Sequence, residues 1–236
     1  MKGHYGTAAW VYEPESITEW SDTLPPHSET ISRCVRSHDV IKRGTDIVFA
    51  LLGMIITMPL WALIALAIKM TSRGPVFFTQ TRAGLNGRPF DMFKFRSMVV
   101  GAEEQLKHYI NIEALEEPVY KLKDDPRVTR LGRFLRRYGL DELPQLLNVL
   151  RGEMSLVGPR PEVMALASRY NTEQRSRLLV KPGITGYQQI HNRGMPDMSA
   201  RLTYDLYYLR YRSTLLDLWI LATTVLVIAS GKEITY

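Results

Sequence analysis

IVFALLGMIITMPLWALIALAIKM, residues 47–70, is the stretch that decides what kind of fold this chain adopts. It is almost wholly apolar and has roughly the 20 residues a helix needs to cover a bilayer core. Pro59 stands in its middle, where the ring removes one helix hydrogen bond and forces a kink. Basic residues flank both ends, Lys42 and Arg43 on one side and Lys69 and Arg73 on the other. A crossing helix keeps its positive excess on the cytoplasmic side alone. Two positive flanks instead predict a helix–break–helix that dips into one leaflet and returns, with Pro59 as the membrane kink and both ends cytoplasmic. A full crossing and a buried core helix are the competing readings.

The rest of the chain is not that of a polytopic membrane protein. Its 236 residues are enough for one good core, and length does not demand a second domain. Mean hydropathy is −0.13. A net charge of +6 points to an anionic partner such as phospholipid, nucleic acid or a phosphorylated substrate. The single cysteine, Cys34, excludes an intramolecular disulfide and a Cys-rich metal site. Residues 1–40 are polar, with Pro14, Pro25, Pro26 and the acids Glu13, Glu15, Glu19 and Asp22 among them, and lack the pattern of a signal peptide. They read as a loosely ordered extension carrying a short helix near Ile17 and Trp20. At the other end, residues 215–229 carry Asp217, Thr223 and Thr224 within a shorter apolar run, which suits an interfacial or core helix. Tyr204, Tyr207, Tyr208, Arg210, Tyr211 and Arg212 just before it form either a headgroup-level belt or a core face.

Between these ends lies a polar segment with its own signals. Residues 76–81 and 90–95 are β-rich, and Asn86-Gly87 between them tolerates positive φ, so a hairpin is expected that projects Lys94 and Arg96. Helical spacing follows over 103–115 and 128–138, separated by Asp124-Asp125-Pro126. Gly139 ends the second helix. Leu140-Asp141-Glu142-Leu143-Pro144-Gln145 then opens another, with Asp141 as its cap, an apolar stripe of Leu143, Leu146, Leu147 and Leu150, and Gly152 as its stop.

The adjacent acids Asp141 and Glu142 sit among Arg130, Arg133, Arg136 and Arg137. Two carboxylates in a cationic frame suit phosphoryl chemistry: one can attack or hold a metal while arginines neutralise phosphate. Helix capping is the bland alternative. Adjacent helical side chains diverge by about 100°, so the two acids can serve different roles. Gly158-Pro159-Arg160-Pro161 is a stiff segment that aims Arg160, and Lys181-Pro182-Gly183-Ile184-Thr185-Gly186 allows close backbone approach.

In order along the chain, Lys42-Arg43 with Asp46, Gly74-Pro75-Val76-Phe77-Phe78, Lys94-Phe95-Arg96-Ser97-Met98 and Asp125-Pro126-Arg127 form the first half of a pattern. LDELPQL at 140–146, MSLVGPRP at 154–161, PGITG at 182–186, Asp205 with Tyr208, and Asp217 complete it. This set resembles the bacterial sugar transferases, the small monotopic phosphoglycosyl transferases also called polyprenyl-phosphate hexose-1-phosphate transferases, over residues 42–224. The resemblance implies transfer of a sugar-1-phosphate from a UDP-sugar to polyprenyl (undecaprenyl) phosphate with release of UMP, at the start of polysaccharide or glycoconjugate assembly. It implies Asp141 as the nucleophile of a covalent phospho-sugar intermediate, with Glu142 beside it for Mg²⁺ or acid–base work. Both acids are then candidate metal ligands. It carries substrate contacts to Lys94, Arg136, Arg160 and Arg193, with Arg96 in the same motif as Lys94. Many members have Ser before the helix proline and Trp after the PGITG loop, where this chain has Met58 and Tyr187.

The expected fold is therefore α+β and predominantly helical: a monotopic membrane protein with a kinked re-entrant helix at 41–73. A catalytic domain at 74–236 follows, in which a β-hairpin and interfacial amphipathic helices surround a cytosolic site. The expected location is the cytoplasmic face of the bacterial inner membrane. Expected partners are the UDP-sugar, the polyprenyl phosphate and phospholipid, with homo-oligomers left open. No groove-reading motif or run of stacking aromatics argues for nucleic acid. The alternatives are a membrane-attached glycosyltransferase releasing UDP, for which no Asp-x-Asp metal pair is evident, and a basic, non-catalytic tethered module.

Overall fold

The computed structural model describes residues 29–111, 114–118, 122, 124–191 and 197–230. The expected helix near Ile17, and Arg193, lie outside them. A long helix α1, Glu29–Thr71, leads into a hairpin of β1, Phe77–Ala83, and β2, Pro89–Phe95. Helices α2, Ala102–Tyr109, and α3, Arg130–Arg137, come next, then a 3-10 turn, Leu140–Glu142, and α4, Gln145–Arg151. Strands β3, Ser155–Val157, and β4, Glu162–Val163, precede the one-turn helices α5, Met164–Ala167, and α6, Thr172–Arg175, and a 3-10 turn, Ser176–Leu179. The chain closes with β5, Gly183–Thr185, α7, Tyr187–His191, α8, Met198–Tyr211, and α9, Thr214–Ala229. Described residues are mostly helical, as expected.

Helix α1 is long and apolar enough to serve as a membrane anchor, and only 11% of its most apolar window is buried within the protein. Ile55, Ile56, Met58, Leu63 and Leu66 all face outward, which excludes the buried core helix. The helix is continuous through Pro59, so the expected break between two helices is not present. Proline takes away one N–H, and the turn around it is braced by side chains. The Thr57 hydroxyl donates to the Gly53 carbonyl at 2.7 Å, and Trp61 Nε1 donates to that hydroxyl at 3.1 Å. Thr57 thus supplies a hydroxyl that Met58 cannot.

One side of α1 is fastened to the rest of the molecule along its length. Lys42 pairs with Asp217 of α9 at 2.7 Å. Arg43 donates to the Val149 and Leu150 carbonyls at the end of α4, at 2.5 and 2.8 Å. Asp46 accepts from Ser155 Oγ and the Leu156 N–H, both at 3.0 Å. Ala50 and Gly53 then meet α4, and Ile64 and Ile68 pack with Phe95 and Leu135.

The hairpin forms as its turn residues require: Asn86 has φ 56° and Gly87 φ 74°, and register pairs Phe77 with Phe95 through to Ala83 with Pro89. A second edge of β1 takes the short β4, giving the order β2-β1-β4. Strands β3 and β5 pair in parallel. The main core lies between α1, α4, β2, β3 and α9, with Met92, Val149, Met154, Tyr208 and Ile220 fully enclosed. Tyr208 is among its largest buried side chains, and Tyr204 and Tyr207 pack on the same cluster, so this tyrosine run is largely a core face. Tyr187 is also buried and stacks on Tyr207 with centroids 4.5 Å apart. Its place after the PGITG loop is thus a packing position. Helix α2 ends at Tyr109, short of the expected 103–115, where Ile110 turns extended.

Candidate active site

The site forms where three elements meet. Along β2, Phe90 and Met92 point into the main core, and strand alternation puts Lys94 on the same face. Lys94 Nζ donates to Glu142 Oε1 at 2.7 Å. Arg160, from the Gly158–Pro161 loop, reaches the same oxygen through Nη2 at 3.3 Å. The loop is held close because Gly158 leaves no room for a side chain: a Cβ there would lie 2.5 Å from the Lys181 carbonyl oxygen. Arg177, in an ion pair with Asp205 at 2.9 Å, backs the loop by donating to the Arg160 carbonyl at 3.4 Å.

Gly139, with φ 64°, reverses the chain after α3 and turns both acids inward. Asp141 and Glu142 are only 2% and 4% exposed. Asp141 is not the helix cap that spacing predicts. The cap position belongs to Pro144, and Asp141 Oδ1 is buried without a hydrogen-bond partner. The reason is that both acids belong to the 3-10 turn, which ends before Pro144 and so leaves them ahead of the α4 cap.

The neighbouring acids sit in unlike electrostatic surroundings. Burial pushes the Asp141 carboxyl above its ordinary range, and the Glu142 charge adds to this, while Lys94, Arg136 and Arg160 oppose it. Burial likewise works against the charge on Glu142, but Lys94 and Arg160 and their hydrogen bonds outweigh it, holding its carboxyl at about 2. Lys94 itself is lowered, first by burial, with Glu142 pulling the other way. Glu142 is a permanent anion locked into an ion cluster; Asp141 is an uncommitted acid beside it. A carboxylate poised in that way can attack phosphorus.

Arg136 approaches from the last turn of α3, its Nε bound to Ser97 Oγ at 2.9 Å. Gly132 makes the approach possible, since a Cβ there would sit 1.9 Å from the Ser97 carbonyl oxygen. Arg96 is not brought to the acids. Its guanidinium donates to the Ser72 and Arg73 carbonyls at 3.0 and 2.8 Å, fastening the end of α1 to β2. Sequence reasoning overlooked Asn148, which accepts from the Phe93 N–H at 3.0 Å and donates to the Asp91 carbonyl at 2.7 Å, clamping α4 to β2. Its two β2 partners lie more than 50 residues away, so no local signal announces the clamp.

Among the described residues no group of three or more His, Cys, Asp or Glu could cage a metal ion. The donor set nevertheless suits Mg²⁺, which needs only one or two carboxylates plus diphosphate oxygens. The unpartnered Asp141 Oδ1 is a free hard oxygen of that kind.

The site is thus a pair of buried acids framed by Lys and Arg, on a chain whose α1 is long and apolar enough to anchor in a membrane. The bacterial sugar transferase family model matches residues 37–231, and the chain belongs to that family. It is 43% identical over 194 residues to the UDP-glucose:undecaprenyl-phosphate glucose-1-phosphate transferase of Escherichia coli, covering 79% of this chain and 39% of that one. It is 41% identical over 198 residues to the undecaprenyl-phosphate galactose phosphotransferase of Salmonella typhimurium, covering 82% and 41%. It is 40% identical over 190 residues to the exopolysaccharide production protein ExoY of Sinorhizobium fredii, covering 79% and 84%. The chain thus spans about two fifths of the length of the first two and most of the third.

Proposed function

We propose that this chain transfers a hexose-1-phosphate from a UDP-sugar to a polyprenyl phosphate and releases UMP, at the first membrane step of exopolysaccharide or glycoconjugate synthesis. The observation that carries the reading is the asymmetry of the acid pair: Asp141 has a buried oxygen without a donor and a raised carboxyl, whereas Glu142 is paired through Oε1 with both Lys94 and Arg160 and is low. An Asp141 oxygen attacks the sugar-bearing phosphorus. The bond to the bridging oxygen breaks, and UMP leaves with that electron pair. A polyprenyl phosphate oxygen then attacks the same phosphorus and Asp141 departs as carboxylate, restoring the enzyme. Lys94, Arg136 and Arg160 neutralise phosphate charge through both displacements. Asp141 or Glu142 would hold Mg²⁺, which would supply further charge neutralisation. Arg193 is assigned to the substrate by its motif alone.

Placement of α1 in one leaflet, rather than across the bilayer, is supported by where it is tied. Lys42, Arg43 and Asp46 at one end bond to α9, α4 and β3, and the Ser72 and Arg73 carbonyls at the other bond to Arg96. A helix fastened at both ends to one polar domain lies in a single leaflet, with the domain on the cytoplasmic face of the inner membrane. The exposed Leu215, Leu218, Val225 and Leu226 of α9 extend that apolar surface. This puts a water-soluble donor and a lipid acceptor within reach of Asp141 together.

Product analysis tests the reaction. Membranes carrying this chain, given UDP-glucose or UDP-galactose and a short polyprenyl phosphate, release UMP; UDP as the product would overturn the assignment in favour of simple glycosyl transfer.

A further inference from the structure

Gln145 is 1% exposed, yet its Nε2 has no hydrogen-bond acceptor. Asp141 Oδ1, four positions earlier, is the matching case of a buried acceptor without a donor. Such atoms carry an uncompensated desolvation cost, and native interiors avoid them unless something pairs with them in use. The neighbours of Gln145 along this seam between α4 and β2 are paired. Glu142 binds Lys94 at one end, and Asn148 binds the Phe93 N–H and Asp91 carbonyl at the other. Gln145 opens α4 three positions after Glu142 and three before Asn148, so it stands on the same side of this segment, facing β2.

We propose that Gln145 is a catalytic residue whose Nε2 donates to a non-bridging oxygen of the phosphoryl group that Asp141 attacks, in both half-reactions. The proposal rests on Asp141 being the nucleophile. A neutral amide suits this position. A second Lys or Arg there would pair with Asp141 and blunt its attack, whereas an amide binds phosphoryl oxygen and leaves the carboxylate uncommitted. Its donor is also already desolvated, the condition under which such a contact contributes most in the transition state.

The test uses the full chain in phospholipid nanodiscs, with Gln145→Met and Gln145→Glu beside Asp141→Asn. Three readings are taken: the single-turnover rate of phospho-sugar adduct formation from the UDP-sugar that wild type accepts, the rate at which polyprenyl phosphate consumes the adduct, and Tm. Gln145→Met keeps the size and removes the donor. It should slow both half-reactions by about 10²–10³-fold, leave KM for the UDP-sugar within about threefold, and keep or raise Tm, because an unpaired amide leaves the interior. Gln145→Glu, with charge facing the phosphoryl oxygens, should be slower still. A structural role would instead lower Tm and leave the rates per folded molecule near wild type, and that result overturns the proposal. So does a change confined to KM. If wild type forms an adduct that Asp141→Asn abolishes while Gln145→Met reacts at full rate, only the Gln145 assignment falls. If wild type forms no adduct, the reading of Asp141 falls and takes this one with it.

Discussion

Asp125 and Asp141 are both aspartates in recognisable motifs beside arginines, and the structure treats them in opposite ways. Every oxygen of Asp125 is spoken for. Its Oδ1 accepts from Arg127 Nε and the Arg127 N–H at 2.9 and 3.0 Å, and its Oδ2 from Arg127 Nη2 at 2.6 Å. Arg127 in turn donates to the Ala102 carbonyl at 2.9 Å, closing the loop before α3 onto α2. Burial resists the Asp125 charge, but its bonds to Arg127 win and lower its carboxyl. Asp141 is more deeply buried, has an oxygen with no donor, and is raised. A saturated carboxylate is a structural rivet, while an unsaturated one in a cationic frame stores its capacity for a substrate.

Substitution breaks this contrast or sharpens it. Asp141→Asn should cut adduct formation by at least about 10⁴-fold and leave Tm unchanged or higher, since a buried group that resists ionisation becomes neutral. Intact-mass detection of the adduct and a melting curve read both; an adduct surviving in this variant removes Asp141 as nucleophile.

Lys94→Met should come next. It leaves the Glu142 charge buried with Arg160 alone and should cost about 3–5 kcal/mol of stability. Lys94 also opposes the rise in the Asp141 carboxyl, so removing it raises that carboxyl further. Asp141 then holds its proton to higher pH, and the acid limb of the adduct-formation profile moves to higher pH. An unmoved limb would show that Lys94 does not govern the nucleophile.

Asp125→Asn should have the smallest chemical effect. Losing charged hydrogen bonds costs about 1.5–3 kcal/mol, read as a lower Tm, with adduct yield per folded molecule unchanged. Loss of the adduct at unchanged Tm would erase the distinction between the two aspartates.

Much of this was legible along the chain. Asn86-Gly87 announced the hairpin because positive φ is a local property. Residues 47–70 announced an anchor helix because an unbroken apolar run has few other homes. The ordered motifs announced the family. The α4 stripe was read only in part. Its leucines were expected to form the buried face, but Gln145, Leu146, Asn148 and Val149 are the enclosed residues, and Leu143, Leu147 and Leu150 are half-buried. The helix is enclosed on more than one side, by α1 and β2, so a single amphipathic period does not describe it. Arg96 was misread for a related reason: a cation beside Lys94 in the same motif looks like a second phosphate contact until its carbonyl partners across 23 and 24 residues are seen.

By itself, then, the sequence determined the anchor, the hairpin, the family and the presence of two acids among basic residues, because these rest on local propensity and on ordered motifs. Only the tertiary structure decided which acid is paired with the basic residues and which is not, that Asp141 caps nothing, and that Gln145 is buried with a donor unpaired. Burial and hydrogen-bond saturation depend on partners from distant positions, Lys94 on β2 and Arg160 beyond α4, and no spacing within 140–145 encodes where those partners will stand.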